Sequence, residues 1–350
     1  MHRMIQIRSQ SPLRASLWSC LISVLASFAV VCGASSPAWS KGAASLWIAD
    51  EGDRRVIEIP PSTLKQSGTV SPIVNDGTAI PDDEPTGVCF DGSKNLWVTG
   101  FSSSVLKFTP AQLKNLTTTP EPVPVATIVS MSFGELDGCT FDKQGNLWVV
   151  DATAKGMHKI SKSQLNAGGT ILPALMITAT ADLDFPNFAV FDKSGNLWVT
   201  SEDSSTIVEF AANQLKSSGD KTPAVILSDD GSGSIDEPGQ AAFDGSGNLW
   251  VPNYGNSTVV MFKKSDLGSS GSPTPKITLM DASVMSSDSL DGPWGLTFRG
   301  KGALWVSNYS SGNISMFIPS QIKSSGAPVP KVFLKGAAID AYQLTFGPAF

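Results

Sequence analysis

Chemistry in this chain would have to be carried by oxygen ligands and aromatic rings, because imidazoles and thiols are scarce. The 350 residues hold two histidines, four cysteines and three tyrosines. His2 lies in the first few residues, which leaves His158 in Met157-His-Lys-Ile160, a stretch that reads as a β-strand. A Ser-His-Asp or Cys-His mechanism needs its imidazole beside a nucleophile at a pocket, where this register does not put His158. The sequence carries no Cys/His cluster with zinc spacing, no phosphate-cradling glycine loop and no haem-attachment motif. Oxygen donors are better supplied. Asp50, Asp137, Asp151 and Asn187 are hard ligands of the kind Ca²⁺ collects, at about 2.3–2.6 Å. Tyr254, Tyr309 and Tyr342, with Trp294, form a second set suited to a small, partly apolar ligand. Both sets matter only if the fold brings their members together.

The elements that must do so are repeated. Leu-Trp followed by Ile or Val recurs with its Trp at 47, 97, 148, 198, 250 and 305. In the fourth unit, Phe188-Ala-Val-Phe191 is a strand, Asp192-Lys-Ser-Gly-Asn196 a tight turn, and Leu197-Trp-Val-Thr200 a second strand. Ser205-Thr-Ile-Val-Glu-Phe210 and Pro223-Ala-Val-Ile-Leu227 supply the third and fourth. Between those two, Asn213 to Gly219 reads as one helical turn ended by glycine, with counterparts at Ser62 to Gly68 and Ser320 to Gly326. Four antiparallel strands per unit, six times over, specify an all-β six-bladed β-propeller occupying residues 41–350 as a single domain.

Strand composition agrees. In Leu-Trp-Val both alternating faces are apolar, so neither face of the sheet meets water, as expected for blades stacked around an axis. The six Trp are thus inter-blade packing, and Asp91, Asp142, Asp192 and Asp244 are turn residues. The first repeat starts at a second strand, Leu46-Trp-Ile-Ala-Asp50, and the last segment, Leu344-Thr-Phe346, is a first strand lacking its second. The C-terminal strand should therefore join the N-terminal blade and close the ring.

In such a ring the start of each innermost strand and the end of the next antiparallel strand share one mouth of the channel. Strand starts supply Thr86, Asp137, Asn187, Gly239, Trp294 and Tyr342; second-strand ends supply Asp50, Gly100, Asp151, Ser201, Asn253 and Asn308. The expected site is an acidic arc that holds one divalent cation, best Ca²⁺, on Asp50, Asp137, Asp151 and Asn187. It faces an arc of Tyr254, Tyr309, Tyr342, Trp294, Asn253 and Asn308 for a small molecule or another exported protein.

The repeat Pro-x-Gly-x-x-Phe-Asp-x-x-Gly-Asn-Leu-Trp-Val resembles the NHL-type propeller repeat over about residues 46 to 350. The stretch Leu136 to Val149 is similar to a signature blade of the regucalcin and gluconolactonase family. That resemblance implies a metal-dependent lactonase or related hydrolase, with metal ligands at Asp137 and at Asn187 of Pro186-Asn187. Propeller lyases that open cyclic peptide antibiotics are a further comparison, but they rely on a histidine that only His158 could supply.

Residues 1–40 read as an export signal: Arg3, Arg8 and Arg14 without an acid, an apolar run from Ala15 to Val31, and Ala38-Trp39-Ser40 as the cleavage site. The alternatives are a membrane anchor, for which the run is short, and a lipoprotein at Cys32, whose preceding Val31 is too large. We expect a periplasmic or secreted monomer with no membrane span after cleavage. Net charge is −6 and falls further once three arginines leave, so nucleic acid and anionic membranes are poor partners. Cys89 and Cys139 then remain, on innermost strands of adjacent blades and one repeat position apart. Since neighbouring blades present opposite faces, both thiols enter the shared interface or both leave it. A disulfide and a pair of buried free thiols are both open.

Overall fold

A computed structural model describes residues 44–50, 54–70, 73–74, 84–115, 122–282, 289–335 and 344–349. The N-terminal segment read as an export signal, and Tyr342, lie outside the described residues; so does the side chain of Asp50. Among the described residues no helix is long and apolar enough to cross a membrane.

Six sheets form the six blades of the propeller. Blade 1 runs from inner to outer edge as Thr345–Pro348, Ala44–Asp50, Arg55–Ile59 and Ile73–Val74, so the C-terminal strand supplies the innermost strand of the N-terminal blade. Blades 2, 3 and 4 begin on Pro85–Phe90, Leu136–Phe141 and Pro186–Phe191, and blades 5 and 6 on Ala242–Phe243 and Pro293–Arg299. Each is followed outward by its Leu-Trp strand, a third strand and an outer strand.

The hairpin between first and second strands is built by its aspartate. In blade 2, Asp91 accepts hydrogen bonds from the Ser93 and Asn95 amides, the Asn95 side chain and the Trp97 indole N–H at 2.7–3.0 Å. Asp142 and Asp244 repeat the set. The turn needs a left-handed residue, and Gly195 supplies it in blade 4 at φ 89°. The same strand then carries the Trp into the junction. Each repeat Trp meets the Phe that ends the inner strand of the next blade edge to face: Trp47–Phe90, Trp97–Phe141, Trp148–Phe191, Trp198–Phe243, Trp250–Phe298 and Trp305–Phe346, with centroids 5.5–6.5 Å apart. Such pairs contribute about 0.5–1.5 kcal/mol each beyond area burial. The sixth pair crosses the seam, where Arg299 also stacks on Phe346 and donates to the Ala44 carbonyl.

The segments read as helical turns do more than turn. Thr63–Lys65 and Gln214–Lys216 are short 3₁₀ turns, whereas Ser320 to Gly326 forms turns without a helix. After the glycine the chain lies parallel to the outer strand of the preceding blade: Gly68–Thr69 on Val332–Lys335, Gly169–Thr170 on Ala126–Val129, and Gly219–Asp220 on Leu175–Thr178. Single bridges at Gly271 and Gly326 repeat the contact. Among the described residues, five blades thereby cover part of the preceding blade's open edge, an added strand or bridge that periodicity within one unit does not show.

Cys89 and Cys139 form a disulfide between the inner strands of blades 2 and 3, with Cα atoms 6.2 Å apart. Both sulfurs enter the shared interface, as opposite parity on opposing faces allows.

Candidate functional site

Four of the second-strand ends expected at the mouth, Asp151, Ser201, Asn253 and Asn308, are fully buried, and they serve as loop clamps. Asp151 accepts from the Gly134 amide at 2.7 Å and from Thr153, the Ala154 amide and the His158 Nε2 position. Ser201 holds Asp184, Asn253 accepts from the Asp236 amide, and Asn308 accepts from the Asp291 amide. Asn253 and Asn308 also donate to the loop carbonyls of Ser234 and Ser289. In four blades, then, the residue three after the Trp fastens the loop that enters the inner strand. One residue further on, the backbone N–H of Ala152, Glu202, Tyr254 and Tyr309 donates to the same loops, and it is these side chains, not the clamps, that gather the aromatic and acidic groups. Tyr254 and Tyr309, two of the residues expected at this mouth, are among these four, one position beyond the clamps and so on the other strand face.

The inner-strand starts are likewise occupied in holding the ring. Thr86 donates to the Leu136 carbonyl, and Asn187 donates to the Pro238 carbonyl while accepting from Thr200. Gln240 reaches further: its amide N–H bonds the Trp294 carbonyl, its Oε1 accepts from the Leu296 and Leu344 amides, and its Nε2 donates to the Leu344 carbonyl. It therefore ties blades 5, 6 and 1. Gly239 beside it has no room for a side chain, since a Cβ would stand 2.2 Å from the Trp294 carbonyl oxygen. Phe188 of blade 4 meets Trp294 of blade 6 at 6.0 Å, so aromatic side chains from non-adjacent blades pack against each other.

Three members of the aromatic set, Tyr254, Trp294 and Tyr309, come together. Tyr254 stands perpendicular to Trp294 at 5.5 Å and meets Tyr309 at 5.7 Å. Trp294 is fully buried and Tyr309 nearly so, whereas Tyr254 is half-buried, the member with a face to offer. Burial pushes the Tyr254 phenol above its ordinary pKa; the carboxylates of Glu237, Glu202 and Asp291 add to the rise and a hydrogen bond with Ser310 opposes it. Glu237 is itself raised by burial and by Asp236 and Asp203, and Asp236 by burial and Asp229. The result is one strongly negative mouth with an aromatic wall. Glu202 was not anticipated; its place one residue past Ser201, in register with Tyr254 and Tyr309, was the signal that could have found it.

The oxygen set is less convergent. Asp137 is buried at the inner-strand start of blade 3, and Asp151 gives both its oxygens to the loop and to His158. Among the described residues no three His, Cys, Asp or Glu side chains are placed to hold one metal ion. His158 lies in the third strand of blade 3, fully buried, 2.8 Å from Asp151 Oδ2 and edge-on to Phe133.

Clefts also open on the opposite, turn-bearing face, where sequence reasoning placed no site. Three successive blade junctions, 2/3, 3/4 and 4/5, each hold a cleft of about 490, 360 and 380 Å³ beside the repeat Trp and the turn aspartate.

No protein-family model and no curated protein sequence matches the chain. Solved structures do match. The nidogen/laminin complex aligns with a TM-score of 0.60 at 16% identity over 88% of this chain and 99% of that one. A catalytically inactive virginiamycin B lyase from Staphylococcus aureus, solved with quinupristin, aligns with a TM-score of 0.54 at 12% identity over 85% and 82%. The extracellular domain of a one-component system from B. thetaiotaomicron aligns with a TM-score of 0.51 at 15% identity, covering 86% of this chain and 38% of that one. At these identities the likeness is one of fold.

Proposed function

We propose that the chain is an exported binding module that takes a small molecule, or a side chain of a partner protein, at the mouth where Tyr254 stands among Glu202, Glu237 and Asp291. The observation that carries the reading is the half-buried Tyr254, braced by Trp294 and Tyr309 and raised in pKa by burial and three carboxylates. A ring fixed edge-on by two others loses little freedom when a ligand covers it, and the carboxylates offer acceptors to hydroxyl or amine groups. Export is supported by the disulfide, which persists in oxidising compartments, and by the arginine-led apolar start of the sequence. One of the solved structures that share the fold is an extracellular domain, in keeping with this assignment.

The test is a fluorescence titration of wild-type protein and the Tyr254→Ala and Glu237→Gln variants against a panel of mono- and disaccharides, lactones and amines. Saturable binding to the wild type that both variants lose supports the reading. A ligand that binds Tyr254→Ala as well as wild type removes the mouth as its site, and a silent panel removes the small-molecule form of the proposal.

A metal-dependent hydrolase of the gluconolactonase type is the alternative, resting on Asp137 and Asn187. The geometry supports it less, since Asn187 bonds at both ends of its amide and Asp151 is engaged with the loop. Calcium titration separates the two: binding abolished by Asp137→Ala, with lactone turnover, would favour the hydrolase. Lyase chemistry through histidine has no support from a His158 that is fully buried against Asp151.

A further inference from the structure

The three clefts of the turn face are variants of one site, and the differences among them identify a ligand. In every blade the repeat Trp lies opposite a third-strand residue: Lys107 for Trp97, Lys159 for Trp148 and Glu209 for Trp198 at the three clefts, and Glu58, Met261 and Met316 in blades 1, 5 and 6, where Glu58 accepts from Ser45. In blades 2 and 3 the lysine lines its own cleft. Lys107 Nζ stands 4.9 Å from the Trp97 ring centre and Lys159 Nζ 5.3 Å from that of Trp148, with Asp142 Oδ2 3.7 Å from the latter ammonium. Each cleft thus holds a cation over an indole, and in blade 3 a turn carboxylate lies on its other side.

Blade 4 has the same frame with the cation replaced by an acid. Glu209 is 8% exposed, lines the cleft, and has its pKa raised by burial and by Asp192. The rest of the site is altered with it. Asp91, Asp142 and Asp244 each bind the amide two residues on and the indole N–H, but Asp192 keeps only its two bonds from Asn196. The indole N–H of Trp198, which is 3% exposed, is left without a hydrogen-bond partner. Two lysines line the cleft without pairing with these acids: Lys193 donates to the Gly245 carbonyl, and Lys264 is exposed and forms no ion pair among the described residues. A third carboxylate of the lining, Asp244, is engaged in its own turn. The place beside the indole taken by an ammonium in two sister clefts is here taken by Glu209, with Asp192 near it.

We propose that the cleft between blades 4 and 5 binds an organic monocation, a primary ammonium or guanidinium group, held between Asp192 and Glu209 beside Trp198. The cleft, about 380 Å³, is of a size for a small molecule bearing one such group. Charge-assisted hydrogen bonds from the cation replace the donors Asp192 lacks and remove the repulsion between the two carboxylates. This site is separate from the Tyr254 mouth and stands or falls independently of it.

The experiment is calorimetric titration of the full chain with n-butylammonium and butylguanidinium chloride at constant ionic strength, on wild type, Glu209→Lys, Glu209→Gln and Tyr254→Ala. Wild type is expected to bind one equivalent. Glu209→Lys, which recreates the arrangement that blades 2 and 3 already fold with, loses binding, and Glu209→Gln weakens it by about tenfold or more. Tyr254→Ala binds as wild type. Affinity of the wild type falls as pH is lowered through the titration of Glu209. Absence of binding in wild type overturns the proposal, as does undiminished binding by Glu209→Lys and Glu209→Gln or loss of binding in Tyr254→Ala. Calcium that displaces both probes stoichiometrically would make the site a metal site and overturn the organic-cation assignment.

Discussion

Breaking the bridge between Cys89 and Cys139 is the sharpest test of the ring, because its magnitude follows from the spacing. The two cysteines are 50 residues apart in sequence and join the inner strands of blades 2 and 3. Constraining a loop of that length removes chain entropy from the unfolded state equivalent to about 4 kcal/mol at 25 °C. With an unfolding entropy of about 2.1 cal/mol/K per residue and about 300 folded residues, the loss lowers Tm by about 6 °C. Either single substitution, Cys89→Ala or Cys139→Ala, already removes the whole constraint. The double variant should therefore fall little below the singles, in contrast to independent core substitutions, which add. Scanning calorimetry of the four proteins, with the wild type repeated under reductant, reads this directly. Two alkylatable thiols in unfolded, unreduced protein would refute the bridge. Singles whose effects sum in the double would show instead that two packed thiols, not a cross-link, hold the interface.

The turn aspartates give a graded prediction: Asp244→Ala removes four hydrogen bonds and should cost about 2–4 kcal/mol, whereas Asp192→Ala removes two and should cost clearly less, compared by urea unfolding. Equal costs would mean that the bonds to Asp192 are not weaker in number as described. At the seam, Phe346→Ala should destabilise by about 3 kcal/mol through loss of the Trp305 and Arg299 contacts, and it should do so as much as Phe191→Ala does at an ordinary junction. A much smaller effect at Phe346, measured by thermal unfolding, would indicate that the C-terminal strand does not close the ring. For Asp151, burial acts to raise the pKa, but hydrogen bonds from His158 and the Gly134 and Ala154 amides outweigh it and hold the carboxyl below 3.8. A depressed native pKa means stability that is present above 3.8 and is lost as pH falls through the native value. Asp151→Asn should accordingly be less stable at neutral pH and show a flatter acid limb below 3.8; an unchanged acid limb would contradict the assignment.

The architecture was legible because it rests on repetition and on burial, which leave marks in every unit. Six Leu-Trp motifs at near-constant spacing, each with a Phe ahead of its turn, encode six junctions that the structure builds in one geometry. The unmatched strands at Leu46 and Leu344 encoded the closure, and opposite parity at Cys89 and Cys139 encoded a shared interface. What was not legible in the strand pattern was the edge contact between neighbouring units. The glycine-led segments at Gly68, Gly169 and Gly219 pair with the preceding blade through backbone bonds. The serine ahead of the glycine adds a side-chain bond at Ser67, Ser218, Ser270 and Ser325, so the recurring Ser-Gly was visible as the end of a turn while the blade it reaches was not.

The site was harder for a related reason. Placing residues at a channel mouth from strand register requires the position to be right to one residue, because side chains alternate faces. Of the aromatic arc, Tyr254, Tyr309 and Trp294 pack together, while its two amides, Asn253 and Asn308, serve as clamps of the loops. Of the oxygen set, Asp151 is such a clamp and Asn187 is bonded at both ends of its amide. A polar residue recurring at one position of a repeat is first to be explained by something every repeat needs. Positions that vary from unit to unit are where function has room: the residue after the clamp is Ala152, Glu202, Tyr254 or Tyr309, and the residue facing the repeat Trp is Glu58, Lys107, Lys159, Glu209, Met261 or Met316. Such variation is not explained by the packing that every unit shares. In blade 4 both positions carry a buried acid, Glu202 and Glu209.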